Sequence, residues 1–203
     1  DFSTGTLATL EALTYTATAT ATFKETQIGT GAIVTVTGDA NVNTFTVAAS
    51  TATATIDISG TTFGTWTAGT DVINLTGGTG INAITGSAQR DTISGGDGAD
   101  TLVGGAEIDT ISGDAGADTI TGGAGADTLR GFAASGVDDN TADTFVFAAS
   151  DFAANESVTG DGGTDILSIS GTNDFSAGTL ATVEALTYTA AATATFKESQ
   201  VGT

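Results

Sequence analysis

The chain has 203 residues and carries 24 acidic against 4 basic side chains, a formal charge of −20. That balance argues against nucleic acid and against docking on anionic membranes, because both need clustered Lys and Arg. Cysteine, histidine and proline are absent, which removes disulfides, thiolate and imidazole metal sites and every His-dependent catalytic group, and leaves no residue that interrupts a strand ladder. No run of about 18 apolar residues offers direct membrane insertion.

Residues 1–76 are rich in Thr and Ala and alternate with a period of two, the signature of strands. The spacing predicts strands at 12–15, 17–23, 32–37, 44–48, 53–58 and 72–75, with glycine turns at 29–31, 38–39 and Gly60. Short coils of a β-solenoid or a small sandwich both fit. The solenoid is favoured because the strand at 72–75 runs into the next segment without a linker. The Thr-Ala runs at 16–22 and 51–55 are strand formers first; as ice-binding rows they lack a coil-length recurrence. Trp66, Tyr15 and Tyr188 read as core or edge packing ahead of a sugar-binding surface. Lys24-Glu25 and its later copy Lys197-Glu198 read as a surface ion pair or a contact between coils.

From residue 77 the chain counts in nines: GGTGINAIT (77–85), GSAQRDTIS (86–94), GGDGADTLV (95–103), GGAEIDTIS (104–112), GDAGADTIT (113–121) and GGAGADTLR (122–130). Each block has a glycine-rich turn, an acid or amide at position six, and a short strand with one large aliphatic residue. The sixth positions are Asn82, Asp91, Asp100, Asp109, Asp118 and Asp127, and Asp97, Glu107 and Asp114 add further acids. Such a cluster predicts a cation partner, and hard oxygens without nitrogen or sulfur favour calcium. Backbone carbonyls converge where φ is positive, hence the glycines: Gly77, Gly78 and Gly80; Gly95, Gly96 and Gly98; Gly104 and Gly105; Gly113 and Gly116; Gly122, Gly123 and Gly125. Ile84, Ile93, Leu102, Ile111, Ile120 and Leu129 are expected to turn inward, with flanking Thr and Ser outward.

These blocks resemble the hemolysin-type calcium-binding repeat of the RTX family of secreted bacterial proteins, strongly over 77–130 and weakly to residue 147. The resemblance implies a parallel β-roll in which two nonapeptides make one coil, turns stack on two edges, and Ca2+ sits between neighbouring turns of one edge. The sixth-position residues and the carbonyls of the glycine turns named above would supply its oxygens, with Asp97, Asp114 and Glu107 as additional candidates. One edge then carries the turns at Gly77, Gly95 and Gly113, the other those at Gly86, Gly104 and Gly122. Gln89 and Glu107 stand on the second edge where the first has Gly98 and Gly116. Tighter calcium is therefore expected on the first edge, weakened at Asn82, and Arg90 is a candidate to neutralise Asp91. Stacked acids lie about 4.8 Å apart along an edge and repel by roughly 1 kcal/mol per pair even in water. Two buried aliphatics per coil contribute only about 1.5–3 kcal/mol each. The roll is thus expected to fold with calcium and not without it.

After Arg130 the count fails, and the strand at 143–147 with Phe145 and Phe147 reads as closure of the roll. Residues 174–203 repeat residues 1–30 at an offset of 173, differing at five positions. The expected organisation is a Thr/Ala-rich β-solenoid segment (1–76), a calcium β-roll (77–130), a closing and connecting β segment (131–173) and the start of another long repeat (174–203). The fold class is all-β, a mostly parallel β-solenoid containing a calcium-binding β-roll.

The long period predicts a window on a longer tandem-repeat chain, whose partners are calcium and further copies of itself. No catalytic residue is assigned. The function expected is that of a non-enzymatic structural module of a giant secreted surface or filament protein, S-layer-like in kind, exported by type I secretion to the cell surface. The alternatives are the export and folding appendage of a secreted enzyme, and the extender or tip of an adhesin.

Overall fold

A computed structural model describes residues 12–28, 35–67 and 69–200. Its strands all pair in parallel and build two long sheets and one short one. The eight-stranded sheet runs in the order Thr179–Ala181, Ser157–Thr159, Thr128–Phe132, Thr110–Ala115, Asp91–Asp97, Val72–Thr76, Asn43–Ala48, Ala19–Lys24. The seven-stranded sheet runs Ala185–Thr195, Ile166–Asp174, Thr144–Phe147, Thr119–Ala124, Thr101–Ala106, Ala83–Thr85, Thr55–Asp57. Successive nonapeptides alternate between the two sheets, so each strand stacks on the one 18 residues away: Leu102 on Ile84 and Ile120, Ile111 on Ile93 and Leu129.

This is a β-solenoid, and it includes the Thr/Ala-rich segment as well as the nonapeptides. The expected strands at 12–15, 17–23, 44–48, 53–58 and 72–75 are present with slightly different limits, and that at 32–37 is described from Thr35. The strand Thr62–Gly64 has no counterpart in the sequence reading; it joins Thr35–Thr37 and Ala12–Thr14 in the short sheet. The turn at 29–31 lies outside the described residues. Among the described residues no helix is long and apolar enough to cross a membrane.

The core is a single column. Ile84, Ile93, Leu102, Ile111, Ile120 and Leu129 are all at most 1 % exposed, as a period-two strand with one inward aliphatic requires. Ser112 departs from the expected pattern: it is buried, whereas the equivalent Ser94 and Thr121 are half-buried. Either side of the thin middle the column thickens with aromatics. Phe23, Phe45, Phe63, Trp66 and Tyr15 form a chain of ring contacts before it, and Phe147, Phe152, Phe175 and Phe196 form another after it. Tyr15 and Trp66 are therefore packing residues.

The loss of the nine-residue count after Arg130 does not end the stacking. Thr144–Phe147 pairs with Thr119–Ala124 on one side and with Ile166–Asp174 on the other, and Ser157–Thr159 continues the eight-stranded sheet. The connecting loops lengthen while the strands keep their register, because inward apolar residues and strand pairing set the register and loop length does not.

Candidate metal centre

The acids at position six sit where a turn enters a strand, and the fold lines them up in two ladders. On the first edge the backbone amide of each ladder residue donates to the side chain one coil further on. Asn82 donates to Asp100, Asp100 to Asp118, Asp118 to Asp143, Asp143 to Asp165 and Asp165 to Glu184, at 2.7–2.9 Å. On the second edge Asp91 donates to Asp109 and Asp109 to Asp127, each at 2.8 Å, and the Ser157 amide donates to the Asp127 carbonyl at 2.8 Å, which places Glu156 at the next rung. One carboxylate oxygen of Asp100, Asp109, Asp118, Asp127 and Asp143 is thus committed to the backbone, and both oxygens of Asp165 are.

The other oxygen is left over. Oδ2 of Asp100, Asp109, Asp118, Asp127 and Asp143 is buried and has no hydrogen-bond partner. Every one of these side chains is at most 2 % exposed, so the unpaired oxygen is costly unless something positive meets it. The turn glycines show what faces it. A Cβ built on Gly95 would lie 2.5 Å from both Asp100 Oδ2 and the Gly113 carbonyl oxygen. On Gly104 it would meet Asp109 Oδ2 and the Gly122 carbonyl, and on Gly113 it would meet Asp118 Oδ2 and the Gly131 carbonyl. Carboxylate and carbonyl oxygens from adjacent coils thus face one gap, kept open by a missing side chain. Several acceptors without a donor are the oxygen set a hard cation takes.

Burial without a counter-charge raises these acids far above the ordinary carboxylate value. Loss of hydration pushes Asp109 and Asp118 to about 8, with neighbouring ladder acids adding to the rise. The same cause takes Asp143 to about 7, Asp127 to about 6 and Glu156 to about 8. Arg90 lowers Asp109 slightly; at Asp91, which burial carries to about 7, the lowering comes from Ser87.

The six sequence-named positions are not equivalent. Asp91 Oδ2 already accepts the Ser87 amide at 2.7 Å and its hydroxyl at 3.0 Å, and only Oδ1 stays unpaired. Asn82 turns its own amide hydrogens toward the Gly80 carbonyl and Asp100, while its oxygen accepts from Ala54. On each edge the first rung therefore has one side-chain oxygen taken up within the chain, that of Asn82 by Ala54 and Oδ2 of Asp91 by Ser87. Of the additional candidates, Asp114 is engaged by Ser94 and the Gly96 amide, and Asp97 and Glu107 are exposed. Asp114 and Asp97 lie near enough to Asp100 to help raise its carboxyl. Position two has a conformational demand of its own. Gly96, Gly105 and Gly123 have φ of 98–126°, and Asp114 takes a φ of 77° at the same place. A Cβ on Gly96 would run into the Gly78 carbonyl of the coil before it.

The sequence reading missed Asp143, Asp161, Asp165, Glu184 and Glu156. Asp143, Asp161 and Asp165 are buried and offer oxygens within 4.8 Å of one another. Asp143 brings an unpaired oxygen to this group, and the Asp161 carboxyl is raised by burial and by the adjacent Asp139 carboxyl. The signal was present. Residues 160–168, GDGGTDILS, are a further nonapeptide with Asp165 at position six, and Asp143-Thr144-Phe145 repeats the acid–Thr–apolar triplet of the roll.

Residues 76–111 and 104–131 match the RTX calcium-binding nonapeptide repeat, a family model of four copies. No curated protein and no solved structure matches the chain. The matched residues carry the first three rungs of each ladder, Asn82, Asp100 and Asp118 on one edge and Asp91, Asp109 and Asp127 on the other. Residues 76–131 therefore match RTX calcium-binding repeats and lie on a parallel β-solenoid, and the oxygen set described above suits the Ca2+ that such repeats bind.

Proposed function

We propose that this chain is a calcium-folded structural module of a large secreted surface or filament protein, without catalytic activity of its own. The observation that carries this reading is the row of buried carboxylate oxygens with no partner. A solenoid that buries that much uncompensated charge is unstable alone, and a divalent cation between coils reverses the sign of the largest unfavourable interaction. Within the matched repeats, Asp100, Asp109, Asp118 and Asp127 hold the ion together with turn carbonyls such as those of Gly113, Gly122 and Gly131.

Calcium supplies the positive charge that stacks one coil on the next; the chain supplies the gap, the register and the apolar column. In a calcium-poor cytoplasm such a chain stays open for export, in line with the secreted character of RTX proteins and with type I secretion. Outside, at millimolar calcium, weak extracellular-class sites fill and the solenoid stiffens. Among the described residues the unpaired acid oxygens face turn carbonyls of the adjacent coil, an arrangement suited to holding a cation, and this supports a role in extracellular architecture.

The test is a calcium titration of EGTA-stripped protein followed by far-UV circular dichroism and calorimetry. A cooperative gain of strand at submillimolar to millimolar calcium is expected. A full strand signal in EGTA, with no heat on adding calcium, overturns the reading.

A further inference from the structure

The segment that occurs twice, at 12–27 and again at 185–200, occupies two different environments, and the difference is informative. The earlier copy is covered by the coil that follows it. Ala12, Leu13 and Thr14 pair with Thr35, Val36 and Thr37, and Ala19–Lys24 pairs with Asn43–Ala48. Tyr15 is 5 % exposed, packs 6.1 Å from Trp66 and donates its hydroxyl to the Thr44 carbonyl at 2.8 Å. Glu25 is buried and accepts the Ser50 amide and hydroxyl at 2.6 and 2.7 Å.

The later copy is held from its other side. Ala185–Tyr188 pairs with Ile166–Ile169, and Ala192–Thr195 with Gly171–Asp174. Phe196 stacks on Phe175 at 5.1 Å, and Gln200 donates to the Phe175 carbonyl at 3.0 Å. Here Tyr188, the counterpart of Tyr15, is 51 % exposed, Leu186 is 39 % exposed and Glu198 is exposed. An open cleft of about 340 Å³ lies beside them, lined by Leu180, Val183, Leu186 and Phe196 among others.

The two sets of contacts do not compete. The Ala185 amide donates back to the Asp165 carbonyl, whereas the Tyr15 amide donates forward to the Thr37 carbonyl. Tyr15 corresponds to Tyr188, an odd number of residues from Ala185, and successive amides of a strand point to opposite edges. One edge of this segment therefore serves the preceding coil and the other the following one. The earlier copy is two strands, Ala12–Thr14 and Ala19–Lys24, and the later is one strand, Ala185–Thr195, but both end on the same local bond: the Lys24 amide reaches Gln27 at 2.8 Å and the Lys197 amide reaches Gln200 at 2.7 Å.

We propose that the exposed edge and cleft at residues 180–200 are the docking surface for the coil at 35–66 of a following copy of the long repeat. Successive repeats then stack into one continuous solenoid with no hinge between them. The short sheet of one repeat continues the seven-stranded sheet of the repeat before it. This goes beyond the calcium reading and does not rest on it, because the junction is made of backbone pairing and aromatic packing.

The experiment extends the 203-residue chain by residues 31–203, keeping the 173-residue period, and follows tyrosine nitration site by site in saturating calcium. In the original chain Tyr188 is expected to react and Tyr15 to be protected. In the extended chain Tyr188 is expected to slow at least tenfold, and W66A in the appended copy is expected to restore its reactivity. An unchanged Tyr188 rate, with the appended copy either folded or unfolded by circular dichroism, overturns the proposal. So does protection of Tyr188 in the original chain that grows with protein concentration, which assigns the surface to self-association between chains. A failed calcium titration leaves these outcomes readable, so the two readings fail separately.

Discussion

The backbone amide of Asp100 donates to Oδ1 of Asp118 at 2.7 Å, one coil further on, while Oδ2 of Asp118 has no partner. One oxygen fixes the register and the other is left for the ion. Asp118→Asn separates the two roles, since an amide oxygen still accepts from Asp100 but the charge is gone. The expected outcome is a solenoid that still forms, with its calcium midpoint raised about tenfold, equivalent to about 1.4 kcal/mol. Asp97→Asn, at an exposed side chain, leaves the midpoint unchanged. Calcium titrations of both variants by circular dichroism check this.

Protons and calcium compete for the same oxygens. Burial raises Asp109 and Asp118 from an ordinary 3.8 to about 8 in the ion-free fold. A raised carboxyl binds its proton more tightly folded than unfolded. Its contribution is therefore fully present below about pH 4 and is lost as pH rises through about 8. Calcium-free protein is expected to gain strand signal as pH falls from 8.5 to 5. In the same range the calcium midpoint rises, as protons displace the ion. Circular dichroism in EGTA across that range measures the first effect; a signal flat with pH would contradict it.

Gly104 keeps open the gap shared by Asp109 Oδ2 and the Gly122 carbonyl. A methyl group there occupies the ion's place. Gly104→Ala is expected to cost about 1–3 kcal/mol from overpacking and to remove one calcium from the stoichiometry. Gly60→Ala, where an added Cβ meets nothing within 4 Å, is the control and leaves both quantities unchanged. Calorimetry and thermal melts in calcium distinguish the two variants.

Glu107 takes a φ of 70° with its side chain exposed, a conformation that costs a non-glycine residue about 1–2 kcal/mol. The matching residues Gly98 and Gly116 carry no such strain. Glu107→Gly is expected to raise stability by up to about 1 kcal/mol, part of the relief being offset by the freedom glycine gains in the unfolded chain. A lowered melting temperature would assign Glu107 an attractive role that its contacts do not show.

Asp143 lies outside the matched repeats but has the same unpaired, buried oxygen as the acids within them. Asp143→Asn is expected to lower bound calcium by about one ion per chain while the aromatic cluster around Phe147 stays folded. Calcium counted by mass spectrometry, with near-UV circular dichroism for the aromatics, checks both halves.

Much of the design is legible in the nine-residue count. A glycine turn, an acid and one inward aliphatic specify a coil, and repetition specifies that coils stack, because one coil has too little core to stand alone. Ile84 to Leu129, the two alternating edges and the cation followed from that local pattern. The continuation of both ladders to Glu184 and Glu156 did not, since insertions before Asp143 and Glu156 hide their phase in the sequence, and only strand pairing restores it. Nor does the motif distinguish Asp91 from Asp109. Ser87, at position two of its turn, already bonds Oδ2 of Asp91 and leaves only Oδ1 unpaired, and the motif counts both acids as the same letter. The plainest case is Tyr15 and Tyr188, each within the same hexapeptide ALTYTA, one buried and the other exposed. Sequence determined that the segment is extended; whether its forward edge is covered depends on which coil lies next to it, a contact between distant residues that tertiary structure alone decides.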